Sequence, residues 1–234
     1  MVRSIWRTLD PIVVRNVSPI ALTAFVTGAS FGAIAVAAHI SVWLVCAMSL
    51  LVFAGGSQFM VVGIVAAGGS PIAAVVAGLL LNARHLPFGL AMGDLLGQKL
   101  AARIVGSHIL IDESVAFAMA QRSTNPGDRK RAKAAFWTCG AALFLTWNTG
   151  TLLGALIGQV IGDPNRFGMD AAFPAAMLAL VLPALKDRVT LRVALLGAAI
   201  AVATTPFLPA GIPVVLAALG VVAALPTREK AVTA

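Results

Sequence analysis

Apolar runs separated by short polar stretches make up almost the whole chain. Most approach the roughly 20 residues that a helix needs to cross a bilayer. They predict an all-α polytopic membrane protein with about seven or eight transmembrane helices. Taken in order, the predicted spans begin near residues 18, 42, 71, 106, 134, 170, 190 and 211. No long-period repeat is readable, and an inverted repeat of two halves, common in such folds, stays an alternative.

Helix-start signals support two of these boundaries. Ser18 followed by Pro19 has the residue types preferred at the N-cap and at the first helical position. Ser70 followed by Pro71 repeats that signal after a glycine pair. We therefore expect the first span to begin at Ser18 and the third at Pro71.

Two polar interruptions divide the apolar pattern of the second and third spans. The first is Gly55–Gln58, in which Ser57 would cap the second half of a broken helix. The second is Asn82–His85, and it is followed by Pro87, which removes a helical hydrogen bond. In lipid, a broken helix persists only where it is buried in protein or lines a cavity. Facing breaks near the membrane midplane are typical of a transporter substrate site.

Further polar residues fall at the same predicted depth. Thr146–Gly150 predicts a third interruption midway along the fifth span, and Asp112–Glu113 lies in a short fourth segment of about 106 to 121. Such side chains often form only interhelical hydrogen bonds, worth about 0.6–2 kcal/mol each. Arg84 is a stronger functional signal, because a guanidinium keeps its charge and needs an anion or water. Asp112 or Glu113 is its obvious partner.

Composition supports the membrane interpretation. The chain of 234 residues is 59% hydrophobic and 11% charged, whereas soluble domains are roughly 25% charged. The net charge of +8 fits Lys- and Arg-rich cytoplasmic loops better than a nucleic-acid surface, since no soluble face is available. The basic loops at 122–133 and 186–192 then place both termini in the cytoplasm. Lys99 and Arg103 fall on the wrong side of this scheme, unless the region 93–121 is re-entrant and only seven spans exist.

Three domain ranges follow from the same pattern. Residues 1–16 are expected to form a cytoplasmic amphipathic N-terminus, 17–226 a single transmembrane transporter domain, and 227–234 a cytoplasmic tail.

Other chemistry finds little support. Gly28–Gly32 matches G-x-S-x-G, but that motif needs a strand-to-helix turn, so the small residues are interpreted as a helix-packing surface. Cys46 and Cys139 lie in apolar segments and predict neither a disulfide nor a metal site. The chain has no Walker motif and no H-E-x-x-H spacing. We therefore expect no enzyme, no cofactor and no metal, and we expect any pumping to use an ion gradient.

Two motifs carry a family resemblance. The run Phe53–Phe59, followed by Leu81–Leu86, resembles the signature of the AzlC family, the large permease subunit of bacterial branched-chain amino acid exporters. Supporting matches lie, in the order of the family, at Gly28–Gly32, Asp112–Glu113, Thr146–Asn148, Gly168–Asp170 and Phe173–Pro174.

The resemblance implies a secondary transporter that exports valine, leucine, isoleucine and methionine across the bacterial inner membrane. It also implies a small, separately encoded AzlD-like membrane partner. A non-catalytic pore or scaffold subunit of a larger complex is the alternative.

The residues predict three roles in such a site. The substrate carboxylate suits the helix N-terminus after Gly55 and Gly56, and its ammonium suits carbonyl groups freed by a break or a carboxylate. The substrate-binding residues are predicted to be Gly55, Gly56, Ser57, Gln58, Asn82, Arg84 and Asn148. An apolar pocket is predicted from Phe53, Phe59, Phe88 and Trp147. Proton coupling is assigned to His85, whose unperturbed pKa of about 6.5 lies near physiological pH, with Asp112 and Glu113 as alternatives.

Overall fold

The computed structural model describes residues 11–124, 129–161, 178, 182 and 184–224. Every regular element in these ranges is helical. The first five α-helices are α1 (Pro11–Ala37), α2 (Val42–Val52), α3 (Gly55–Ala66), α4 (Pro71–Asn82) and α5 (His85–Leu96). The next five are α6 (Leu100–His108), α7 (Asp112–Thr124), α8 (Arg129–Ile161), α9 (Arg188–Thr204) and α10 (Ile212–Ala217). Short 3₁₀ segments occupy Ala184–Lys186 and Ala218–Ala224.

The contacts group these helices into two compact units. The first contains the chain up to Phe59 together with the stretch from Leu81 through α8. The second contains Met60–Leu80 together with α9, α10 and their 3₁₀ segments. Residues 1–10, the tail 227–234 and most of the predicted sixth span at about 170–185, apart from 178, 182, 184 and 185, lie outside the described residues.

The first unit is built around α1 and α8, which pack side by side in parallel. The backbone of Phe25 lies against Gly150, and the backbone of Ala33 lies against Gly158. Glycine at such a position lets two helix backbones approach closely, which is a main source of helix association in lipid. Because the helices are parallel, the N-terminal ends of α1 and α8 share one side of the unit.

The second unit has its own apolar contacts. Ile64 of α3 packs with Ala74 and Ala77 of α4 in a small buried cluster. The backbone of Gly197 in α9 lies close to that of Ala217 in α10. The contact between Gly197 and Ala217 again joins two small residues.

The membrane interpretation is supported by length and by surface composition. Arg15–Ala37 and Arg129–Val160 are long and apolar enough to cross a bilayer, and α4 with α5 counts as a third span if this pair, bent by 48°, is one element. Shorter apolar helices occupy Val42–Val52, Gly55–Ala66 and Ile212–Val222. Trp43 and Leu90 are 86% and 88% exposed, an arrangement suited to lipid rather than to water.

The start of α1 differs from the prediction. The helix already includes Pro11 and passes through Pro19 without interruption, so Ser18 is not its N-cap. A proline inside a helix removes one hydrogen bond and crowds the carbonyl one turn earlier, yet α1 continues past Pro19, and the Thr23 hydroxyl donates to the Pro19 carbonyl at 3.0 Å. The predicted start of α4 is confirmed, because Ser70 Oγ accepts from the N–H groups of Ile72 and Ala73 at 3.2 and 3.4 Å.

The helix breaks also differ in detail from the prediction. The first lies at Phe53–Ala54, where Phe53 adopts a left-handed conformation with φ of 37°. Since α3 begins at Gly55, Ser57 is inside its first turn and donates to the Ala54 carbonyl at 2.9 Å. Ser57 is therefore not an N-cap.

The expected interruption at Thr146–Gly150 is wrong, because α8 is continuous from Arg129 to Ile161. Its polar side chains bond to carbonyl groups of the same helix. Thr146 and Thr149 donate to Ala142 and Leu145, both at distances of 2.8–2.9 Å. Such bonds satisfy a hydroxyl without breaking the helix.

The prediction of one short helical segment at about 106–121 is also wrong. In the structure α6 ends at His108 and α7 begins at Asp112, so a break at Ile109–Ile111 divides it. The acidic pair thus occupies the first turn of α7, where negative charge is favourable next to the positive end of the helix dipole.

Candidate functional site

Three helix breaks of the first unit lie close together, and we call their surroundings the break cluster. The breaks are Phe53–Ala54 between α2 and α3, Ala83–Arg84 between α4 and α5, and Ile109–Ile111 between α6 and α7. Each pair of breaks is joined by one specific polar contact. The site is built from these contacts.

The first contact joins the breaks before α3 and after α4. Asn82, the last residue of α4, donates through Nδ2 to Ser57 Oγ at 3.1 Å. Ser57 in turn donates to the Ala54 carbonyl, so the chain of hydrogen bonds ends at the break itself. Pro87 lies in the first turn of α5, where a missing N–H costs little. The second break thus precedes the proline that the sequence suggested as its cause.

The second contact is an ion pair between the breaks at Ala83–Arg84 and Ile109–Ile111. Arg84 Nη2 lies 2.9 Å from Asp112 Oδ2, with side-chain exposures of 31% and 19%. The expected partner of Arg84 is therefore Asp112. The adjacent Glu113 is exposed on α7.

The third contact joins α6 to the end of α2. His108 Nε2 lies 2.8 Å from the Leu50 carbonyl. A carbonyl only accepts, so Nε2 carries a proton and donates. In an uninterrupted helix, Leu50 O would accept from the N–H four residues later, but the break after Val52 removes that partner. His108 thus satisfies a carbonyl that the break leaves open.

His85 makes a different local contact. Its Nδ1 lies 3.0 Å from the Asn82 carbonyl, so Nδ1 is the protonated nitrogen and Nε2 keeps a lone pair. The ring also meets Phe88 edge-on, with centroids 6.1 Å apart. His85 can therefore accept a proton on Nε2 without breaking its bond to the backbone.

Aromatic side chains surround the first turn of α3. Phe31, Phe59 and Trp147 pack together, with the Phe31 and Trp147 rings stacked at 5.9 Å and the Phe31 and Phe59 rings edge-on at 5.3 Å. A methyl group on Gly55 would lie 2.7 Å from the Trp147 ring. Gly55 therefore lets Trp147 cover the start of the helix.

The four residues of the predicted apolar pocket do not form one group. Phe59 and Trp147 belong to the aromatic set around Phe31. Phe53 instead packs edge-on against Phe144 at 5.0 Å, and Phe88 lies beside His85.

Asn148, predicted to bind substrate, has both ends of its amide engaged. Its Oδ1 accepts from Ser49 Oγ at 2.8 Å, and its Nδ2 donates to the Phe144 carbonyl at 2.8 Å. Ser49 also approaches Thr151 Oγ1 at 3.3 Å. This triad fastens α2 to α8 next to the break cluster.

Five buried polar side-chain atoms of the break cluster have no hydrogen-bond partner among the described residues. They are Gln58 Oε1 and Nε2, Asn82 Oδ1, Arg84 Nε and Trp147 Nε1. Gln58 is only 1% exposed, and leaving a buried polar atom unpaired costs about 1–3 kcal/mol. All five atoms belong to residues that the sequence assigned to the site. Unpaired groups gathered in this way can bind a polar ligand.

Four residues of this region were not predicted as site residues: Phe31, Ser49, His108 and Phe144. The sequence could have pointed to Phe31, because this residue lies within the small-residue run Gly28–Gly32 of the first span. It could also have pointed to His108, a histidine within an otherwise apolar segment. Nothing in the sequence pointed to Ser49 or Phe144, since each is an ordinary residue inside an apolar helix.

Broken apolar helices, an apolar surface and buried polar side chains at the breaks define a helical membrane protein. Residues 19–161, more than half of the chain, match the family model described as AzlC protein. The chain therefore belongs to the AzlC family, and the resemblance found in the sequence is confirmed. The family is associated with membrane transport. No curated protein and no solved structure matches the chain.

Proposed function

We propose that this protein is a secondary transporter that exports branched-chain amino acids and methionine across the bacterial inner membrane. One observation carries the proposal: five buried polar atoms that have no hydrogen-bond partner among the described residues belong to side chains around the three helix breaks. In transporters, unwound backbone and half-helix ends bind substrate near the membrane midplane. A pore or scaffold without a polar substrate gives no reason to keep these atoms unpaired.

A zwitterionic amino acid fits the groups that are present. Its carboxylate can accept from the N–H groups of the first turn of α3 and from Arg84 Nε. Its ammonium can donate to Gln58 Oε1 and Asn82 Oδ1. The Phe31, Phe59 and Trp147 rings offer an apolar wall for the side chain. Because one methylene changes binding by only about 1–3 kcal/mol, valine, leucine, isoleucine and methionine should all be accepted.

We assign proton coupling to His85. An energy-coupled exporter needs a group that changes charge, and Arg84 cannot serve because guanidinium stays protonated. His85 keeps an open Nε2 beside the Arg84–Asp112 pair. His85→Gln should abolish the dependence of efflux on the pH gradient but leave amino acid exchange intact, as measured in proteoliposomes. If His85→Gln retains a normal pH dependence, the coupling role moves to Asp112 or Glu113.

The membrane arrangement is also part of the proposal. The sequence predicts seven or eight spans, and we propose that both termini lie in the cytoplasm and that a small AzlD-like subunit is the partner. The described residues contain two clear spans and one bent pair. The parallel α1 and α8 begin on the same side, so the chain crosses the membrane an even number of times between the start of α1 and the start of α8.

The test uses a matched pair of glutamine variants. Gln58→Leu removes both unpaired amide atoms, whereas Gln159→Leu makes the same change at an exposed position of α8. Efflux of radiolabelled valine should fall at least about tenfold in the first, the effect of roughly 1.4 kcal/mol, and should be unchanged in the second. Normal efflux by Gln58→Leu would overturn the proposed site.

The same assay separates a transporter from a scaffold. Wild-type protein should increase valine efflux when it is reconstituted with its small partner. If reconstituted vesicles release valine no faster than empty ones, with or without the partner, the scaffold alternative is correct.

A further inference from the structure

The stretch from Lys99 to Thr124, which contains α6 and α7, has a geometry that a spanning helix does not have. We propose that α6 and α7 form a re-entrant hairpin that enters and leaves the membrane on the side of the α8 N-terminus. Its tip at Ile109–Ile111 closes the break cluster from that side. With this hairpin the fourth predicted segment does not cross the membrane. Because α1 and α8 begin on the same side, the second and third predicted segments cannot both cross either, and the predicted count falls from eight to six. The topology stands independently of transport, whereas the gating role rests on the proposed function.

The hairpin begins beside the first turn of α8. Arg129 Nε lies 3.6 Å from Asp94 Oδ2 near the end of α5. Lys133 Nζ lies beside Gly97, 3.6 Å from the point where a methyl group would lie if Gly97 were alanine. The connection from α5 to α6 is therefore level with the N-terminal end of α8.

From there α6 follows α8 into the membrane. Gly106 packs against Trp137. A methyl group added to this glycine would lie 3.3 Å from the indole ring. Further along α8, Gly140 packs against Ile109. A methyl group added to this glycine would lie 3.0 Å from the Ile109 carbonyl oxygen. Gly140 is eleven residues beyond Arg129 in α8, a distance of about 16 Å. Lys133 is the last charged residue of α8 before Gly140, so the tip lies seven residues, or about 10 Å, inside a hydrocarbon core of roughly 30 Å.

The chain length then requires α7 to turn back. Five peptide steps from Thr124 to Arg129 can span at most about 18 Å. If α7 ran onward from the tip, its 13 residues would carry Thr124 about 20 Å further away from Arg129. The connection could not then be made. Consistent with a return, α7 packs along α8.

A buried serine bonds to backbone groups of the tip. Ser114 Oγ accepts from the Ile111 N–H at 3.0 Å and lies 3.0 Å from the Ile109 carbonyl. Ser114 is fully buried. Non-helical backbone at this depth is tolerated where protein groups replace water, and one serine supplies them here.

The hairpin also removes an inconsistency in the charge pattern. Lys99 and Arg103 are exposed on and before α6, and a spanning segment would place them opposite the basic start of α8. In the hairpin they lie on the same side as Arg129 and Lys133. All these cations then agree with an enrichment of Lys and Arg on the cytoplasmic side.

Two side-chain contacts hold the tip against the rest of the cluster. His108 donates to the Leu50 carbonyl on one side of the tip, and Asp112 pairs with Arg84 on the other. A hairpin is attached to the membrane side from which it enters, so breaking both contacts lets its tip move away from α2 and α5. Such a movement opens the break cluster to the side of the α8 N-terminus.

The topology is tested by the side from which cysteines react. In a full-length Cys46→Ser, Cys139→Ser background, the exposed positions Gln98, Lys130 and Ser41 are changed singly to cysteine. A membrane-impermeant maleimide should label Gln98→Cys and Lys130→Cys from one and the same side of sealed vesicles, and Ser41→Cys from the other. Labelling of Gln98→Cys and Lys130→Cys from opposite sides would overturn the hairpin.

The gate is tested by the rate at which a buried cysteine reacts. Ser57→Cys should react slowly with a charged methanethiosulfonate added on the side of Lys130. Adding His108→Ala or Asp112→Asn should raise that rate roughly three- to tenfold, as expected for the loss of one hydrogen bond. Ser107→Ala, an exposed neighbour on α6, should not change it. An unchanged rate in both variants would overturn the gate, whatever the valine efflux assay gives.

Discussion

The α1–α8 contact and the break cluster lie in the same unit but differ in how completely their groups are packed and hydrogen-bonded. Along α1 and α8, glycine allows backbone to meet backbone without a side chain between them. The glycines that lie in this contact are Gly28, Gly32, Gly150, Gly154 and Gly158. Around the breaks, five buried polar atoms find no partner among the described residues.

The difference shows where stability and function are placed. Lipid tails are as apolar as leucine, so helices in a membrane associate through close packing rather than through the hydrophobic effect. The glycine contact supplies that packing between Trp147 and Gly158 of α8. Each unpaired polar atom in the break cluster has the opposite effect and costs about 1–3 kcal/mol. A rigid contact in one region thus allows an incompletely satisfied site in the other.

The largest effect is expected from filling the glycine contact. In Gly154→Leu, the first side-chain carbon would overlap the Ala29 carbonyl, and two backbones would have to separate. Overpacking typically costs about 1–3 kcal/mol, and loss of the whole contact costs more. We expect no monodisperse protein in detergent by size-exclusion chromatography.

The matched control for this variant is Gly93→Leu on α5, since a methyl group there would meet nothing within 4 Å. It should give a normal elution profile. A normal profile for Gly154→Leu as well would mean that the glycine contact does not hold the unit together.

The second effect compares two ion pairs of the described residues, Arg84–Asp112 and Arg129–Asp94. Asp112→Asn or Arg84→Gln should lower valine efflux at least about tenfold, while the double variant should be little worse than either, because contacting residues are not additive. The more exposed pair Arg129–Asp94, at 62% and 39% exposure, should contribute little, as surface pairs do. Arg129→Gln and Asp94→Asn are therefore the controls. If the variants of both ion pairs lowered valine efflux equally, the ion pair of the break cluster would have no special role in transport.

A third and smaller effect is expected at the start of α3. Gly55→Ala would place its methyl group 2.7 Å from the Trp147 ring, so the indole must shift and efflux should fall several-fold. Gly63→Ala, later in the same helix, would meet nothing within 4 Å and should stabilise the helix slightly, by up to about 1 kcal/mol. Melting temperatures and valine efflux would be measured for both. Unchanged efflux in Gly55→Ala would mean that the position of Trp147 does not matter for transport.

The smallest effect lies outside both regions, at the start of α9. The N–H and hydroxyl of Thr190 donate to Asp187 at 2.7 and 2.8 Å, and these bonds lower the pKa of the Asp187 carboxyl. A lowered pKa adds stability above the unfolded value of about 3.9, and that stability is lost as pH falls through the folded value. Melting temperatures of wild type and Asp187→Ala should therefore differ at pH 6 and converge towards pH 3. Lys186→Ala is the control, and a difference that does not depend on pH would contradict this role.

Some features could be predicted from local sequence because their causes are local. The helix start at Pro71 needs only a serine and a proline in succession. Asn82–His85 interrupts an apolar run with groups that cannot remain unpaired in lipid, so a break there was predictable, and it is found at Ala83–Arg84. The family could be recognised for a similar reason, since its signature is contained in two short runs.

Some sequence predictions were wrong because the feature depends on contacts between residues that are distant in the sequence or on other turns. Thr146–Gly150 looked like a break, but hydroxyl and amide groups can bond to their own helix, and α8 stays intact. Ile109–Ile111 contains only apolar residues and looked continuous, yet Ser114 and the packing against Gly140 hold a break there. Composition does not distinguish these outcomes, because the deciding partners lie on other turns or on other helices.

The sequence by itself determined the class of protein, the family and most of the residues that meet in the break cluster. The class and the site residues could be predicted because an unpaired polar group is costly in lipid whatever its residue type, and the family because its signature lies in two short runs. Only the tertiary structure decided which of these groups are paired. Arg84 pairs with Asp112, His108 with Leu50 and Asn148 with Ser49, whereas the side-chain amide of Gln58 has no partner among the described residues. Pairing depends on where separate helices bring their ends together, and residues far apart in the chain set that arrangement jointly.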